Sequence, residues 1–105
     1  MSPSWIRARI RKYAAQVELG YIPKVVFSEK EWRRLTPAAQ WKTLGHETVA
    51  ASYGEVVYIK KSSACCRRNV DDSAAHEIVH MKWPKMRHTP KFYHYVSEIL
   101  VGRYP

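Results

Sequence analysis

A chain of 105 residues, 46% of them hydrophobic, can bury one modest core without covalent staples, and a single domain over residues 1–105 is expected. Its charge is one-sided, with 18 lysines and arginines against 9 acids, a net +9 and a pI near 9.8. Arg7, Arg9, Arg11 and Lys12 stud the opening stretch and no long apolar run follows, so neither a secretory leader nor a membrane span is expected, and a cytoplasmic protein is the expectation.

In chain order, the first element is an amphipathic helix over residues 5–19, where Ile6, Ile10, Tyr13 and Val17 recur at helical spacing opposite a basic face. Residues 24–27 form a short apolar strand. Ser28, with Glu31 three residues on, makes a capping box for a second helix, which Thr36-Pro37 bends or restarts ahead of Gly45. Residues 48–53 and 55–60 then pair as a hairpin around Gly54. In its second strand Val57 and Ile59 fall on one side, Val56, Tyr58 and Lys60 on the other. Adjacent Cys65 and Cys66 suit neither an ordinary bridge nor a CxxC knuckle and read as reduced, half-buried thiols.

A third helix of about three turns starts at Asn69 as N-cap, with Asp72 completing a capping box and Asp71 suiting the positive end of the dipole. Pro84 stops it near Trp83. Thr89-Pro90 opens a last helix, whose Phe92, Val96, Ile99 and Leu100 form a core stripe and which Gly102 ends. Strands followed by these helices describe an α+β fold, a small mixed or antiparallel sheet packed on the third helix and its flanking helices.

The third helix carries His76-Glu77-Ile78-Val79-His80, the HExxH pattern. Residues four apart share a helix face, so His76 and His80 can aim ring nitrogens at one Zn²⁺ while Glu77, one step round, is left to take the proton of an attacking water. Catalytic zinc normally takes three protein ligands, so the chain must supply another. His88 follows the helix break at Trp83-Pro84 and directly precedes Thr89-Pro90, so a turn folds it back, and it is the first choice. Glu98 on the last helix is the alternative third ligand, and His94 on the same face reads as a surface residue.

The string from His76 to His80, then His88-Thr89-Pro90-Lys91-Phe92, resembles the SprT-like (Spartan) group of zincin metallopeptidases, in which HExxH is followed by a histidine and, four residues on, an aromatic. Upstream, Thr43-Leu44-Gly45-His46 and Gly54-Glu55-Val56-Val57-Tyr58-Ile59 look like that group's glycine turn and the edge strand ahead of the active helix. The resemblance spans residues 42–100 and implies a zincin-like minimal metalloprotease, with Zn²⁺ on His76, His80 and His88 and Glu77 as catalytic base. Thr89 stands where the group usually has a glycine. The small size also resembles the minigluzincins, whose third ligand is a glutamate on the following helix, which keeps Glu98 open.

The expected function is therefore a zinc-dependent endopeptidase acting on a protein or peptide substrate. The strand of Val56, Val57, Tyr58 and Ile59 would offer an open edge to an extended peptide, and Tyr93, Tyr95 and Tyr104 are candidate donors to the developing oxyanion. Basic clusters at Arg7, Arg9, Arg11, Arg33, Arg34, Arg67 and Arg68 point to DNA or another nucleic acid as partner, in line with the resemblance, whose members act on proteins attached to DNA. The rivals are a basic nucleic-acid-binding module with a zinc site and a non-peptidase zinc hydrolase. A monomer or weak homo-oligomer is expected, held latent if residues 101–105 or the first helix cover the cleft.

Overall fold

The sheet of this computed structural model, which describes residues 1–45 and 48–102, has three strands in the order β1-β3-β2. β1 (Lys24–Val26) runs parallel to β3 (Val56–Ile59), and β2 (Ala50–Tyr53) pairs antiparallel with it. Between β1 and β2 lie α2 (Glu29–Leu35) and a 3₁₀ stretch (Ala38–Thr43). α1 (Pro3–Gln16) precedes them, and a 3₁₀ turn (Lys61–Ser63), α3 (Arg67–Lys82) and α4 (Pro90–Leu100) follow, giving an α+β arrangement around a mixed sheet.

The hairpin forms where its turn chemistry requires. Tyr53 pairs with Val56, which leaves Gly54-Glu55 as the loop. Gly54 adopts φ 57° and Glu55 does not, the pattern of a type II′ turn, which glycine enters without steric cost.

Strand alternation then splits the interior in two. Val25, Val57 and Ile59 meet Ile6, Ile10 and Tyr13 of α1, Val70, Ala74 and Ile78 of α3 and Phe92 and Ile99 of α4. Val26, Ala51 and Tyr58 point the other way, onto the fully buried Trp32 of α2. The Trp32 ring meets Tyr58 edge to face at 6.3 Å, and its Nε1 donates to the Gln40 carbonyl at 3.2 Å, tying the 3₁₀ stretch to the sheet.

β3 is the central strand, with both edges occupied. Val56, Val57, Tyr58 and Ile59 therefore present no open edge to a peptide, which corrects the expectation from sequence. Alternation reveals which face a residue takes but not which strand lies beside it, and it is β1, returning in parallel, that closes β3. The edge nearest α3 belongs to β2.

α3 starts earlier than the capping signals suggest. Cys66 is its N-cap, and Asn69 and Asp72 lie inside the helix, with the Asn69 amide donating to Cys65 Sγ at 3.3 Å. Burial of Ala64 and Val70 anchors the additional turn, so packing overrides capping preference. Both cysteines are free and exposed rather than half-buried. The helix ends at Lys82 with Trp83 as C-cap, as Pro84 requires.

α1 is part of the core and not a removable cover. Its Ile6, Ile10, Tyr13 and Ala14 are buried, and Arg9 clamps it to α3 through Asp71, at 2.7 Å from Nε to Oδ1 and 3.1 Å from the second nitrogen to Oδ2. Residues 103–105, part of the other suggested cover, lie outside the described residues. Among the described residues, no helix is long and apolar enough to cross a membrane.

Candidate metal centre

Helical spacing places His76 and His80 on one side of α3 with their Nε2 atoms 3.1 Å apart. After Trp83-Pro84 the chain turns back, with the Met86 amide bonded to the Trp83 carbonyl at 3.0 Å, and His88 brings its Nε2 to 2.8 Å from that of His80. Thr89 caps α4 by accepting from the Phe92 amide, with Pro90 in the first position as its fixed φ favours. Trp83 stacks on Tyr95 at 4.4 Å, fixing α4 against the end of α3. Phe92 then backs the trio, its ring 4.9, 4.7 and 4.9 Å from those of His76, His80 and His88.

The donor set can be tested against a metal. A ring nitrogen carries either a proton or a lone pair, so a proton on His80 Nε2 could satisfy one neighbour but not both. Three imidazole nitrogens converging without that many protons to share are the arrangement a cation resolves. At a metal–nitrogen distance near 2.0–2.1 Å, tetrahedral ligands stand about 3.3 Å apart. The separations of 2.8 and 3.1 Å lie a few tenths of an ångström inside that, a small ring adjustment away. His76, His80 and His88 could thus hold a metal ion, and the group contains no fourth ligand among the described residues, which leaves a position open. Glu98 is not in the group, so the alternative third ligand gives way to His88.

The electrostatics suit metal binding. Burial, then the neighbouring His80 and His88, pushes His76 down to about 4, and burial with His88 lowers His80 as well. Both rings are therefore neutral at neutral pH, the form that donates a lone pair. Glu77 is buried beneath β2, which raises its carboxyl to about 7, opposed in part by a hydrogen bond donated by the Ser52 hydroxyl.

These groups line a cleft of about 620 Å³, whose other wall is Ala50–Tyr53 and Gly54. The Lys60 amide bonds to the Val49 carbonyl at 2.8 Å, so alternation makes Ala51/Tyr58 and Tyr53/Val56 the other hydrogen-bonded pairs. The backbone N–H and C=O of Ala50 and Ser52 consequently point away from β3, to an edge with no partner strand among the described residues. The Ser52 side chain and the β2 edge were missed from sequence. Their signal was faint, two small residues on one face of the strand at 48–53.

The tyrosines separate. Tyr93 is half exposed with its ring 6.4 and 6.1 Å from those of His76 and His88, Tyr95 is taken up by Trp83, and Tyr104 lies outside the described residues. His94 is exposed, as expected. The Gly45 amide donates to Thr48 Oγ1 at 2.9 Å, while His46 lies outside the described residues.

No protein-family model, curated protein or solved structure matches the chain.

The arginines also divide. Arg9 is engaged by Asp71 and Tyr13 through Nε and one terminal nitrogen, a structural role that the sequence did not indicate. Arg7 lies over Phe27 at 5.1 Å, Arg33 reaches Glu29 at 3.5 Å, and Arg67 lies over Trp5 at 5.9 Å. Arg7, Arg11, Arg33, Arg34, Arg67 and Arg68 are all exposed.

Proposed function

We propose that this chain is a zinc-dependent endopeptidase of the SprT-like zincin type, with Zn²⁺ on His76, His80 and His88 and Glu77 as general acid and base. The observation that carries the reading is one cleft lined at once by three convergent imidazoles, a buried carboxylate on the next residue of the helix, and an unpaired strand edge. Bound there, the ion would supply Lewis acidity to a water and to the scissile carbonyl.

The chain's own groups would do the rest. The outward amides and carbonyls of Ala50 and Ser52 hold the peptide as an added strand, aligning its backbone with the histidines. Glu77 takes a proton from the attacking water and delivers it to the leaving amine, with Ser52 fixing the carboxylate's orientation. Tyr93 is the tyrosine best positioned to donate to the developing oxyanion. The strand edge favours a peptide over the small amide or RNA of a non-peptidase hydrolase. The exposed arginines and the net charge of +9 support nucleic acid as a second partner of the same protein.

Glu77→Gln should keep one zinc per chain by elemental analysis and lose casein cleavage by at least about a hundredfold. Activity retained in that variant would refute the assignment.

A further inference from the structure

We infer that the cleft selects apolar side chains, so that the segment cut is an extended stretch rich in aliphatic or aromatic residues; this rests on the metallopeptidase reading above. Two features of the molecule pull in opposite directions. A net charge of +9 draws acidic polypeptides, whereas the wall of the cleft, whose backbone can hold any peptide, offers acidic side chains no lysine or arginine.

Along that wall stand Ala50, Met81 and Pro84, together with two hydroxyls that are already engaged, Ser52 with Glu77 and Thr43 with Gln40 at 3.4 Å. Apart from Tyr53, whose side chain alternation turns to the other face of β2, the ionisable residues that line it are the three histidines and Glu77, which the reading commits to metal and water. An aspartate or lysine side chain seated there would shed its water without meeting a counter-charge among the described residues. A leucine or phenylalanine gains by the same desolvation. Ala50 is small, which leaves room beside Met81 and Pro84 for such a side chain.

An exposed aromatic residue stands beside the same site: Tyr93 of α4 is 50% exposed, with its ring 6.4 and 6.1 Å from those of His76 and His88. An apolar side chain seated in the cleft could cover it. Long-range attraction fades within about 8 Å at physiological ionic strength, so contact with the wall, not the net charge, decides among bound side chains.

The test uses the zinc-loaded full chain and three quenched peptides identical except at the residues flanking the scissile bond, which are Leu/Phe, Asp/Glu or Lys/Arg. At 0.15 M salt the apolar peptide should have a kcat/KM about ten- to a hundredfold above both charged ones. Pro84→Glu, at the exposed rim, should raise the rate for the Lys/Arg peptide relative to the apolar one about two- to fivefold. Thr43→Glu, at an exposed position that also lines the cleft, is the second variant should the first fail to fold. Equal rates for the three peptides, a faster acidic peptide, or an unchanged ratio in both variants would overturn the selection while leaving the peptidase intact. Cleavage of none of them would overturn both.

Discussion

Glu77 holds the sharpest conflict in the molecule, because its buried position costs the fold what it offers the chemistry. Its carboxyl is raised from 4.5 to about 7, so the folded chain keeps a proton that the unfolded chain releases. The fold therefore loses stability as pH rises from about 4.5 to 7, by about 3 kcal/mol if the whole difference is expressed. His76, lowered to about 4, and His80 act in the reverse sense, holding stability that is complete above 6.5 and lost as pH falls. Metal-free Glu77→Gln should consequently gain more over the parent chain at pH 8 than at pH 4.5 when both are melted in chelator. An equal difference at the two values would contradict the burial argument. At this scale the sequence was legible where helix geometry alone decides, as for His76, Glu77 and His80. Ser52 was not, because its contact with Glu77 depends on how β2 lies across α3.

Elements were read well where a local signal governs them and poorly where neighbours do. Ser28 with Glu31 and Thr89 with Pro90 begin helices as expected, since a cap is satisfied within one turn. The start of α3 and the choice of edge strand failed, since the first follows burial of Val70 and the second the parallel return of β1. Moving the proposed substrate strand from β3 to β2 changes the experiment that tests it. Proline at Tyr58 would simply damage the central strand. Ala50→Pro instead removes an outward amide at an edge position that tolerates proline. It should bind zinc normally, melt within a few degrees of the parent chain, and lose about tenfold or more in kcat/KM for peptides. Unimpaired cleavage by a zinc-loaded Ala50→Pro chain would count against strand addition.

For the molecule as a whole, charge was plain from composition, but which part of it the fold itself uses was not. Arg9 was indistinguishable in sequence from Arg7 and Arg11, yet it clamps α1 to α3 through Asp71. Arg67→Glu with Arg68→Glu should weaken DNA binding and flatten its salt dependence, whereas Arg9→Ala should lower the melting temperature and leave the salt slope unchanged. DNA binding indifferent to salt would contradict an electrostatic partner surface.

The proposed chemistry depends on the three imidazoles gripping an ion, so the most direct measurement is the zinc content of the purified chain and of His80→Ala and His88→Ala. One equivalent is expected in the parent chain and a small fraction of that in each variant. A parent chain that carries no divalent ion and takes none up, or a His88→Ala chain that still holds a full equivalent, would contradict it.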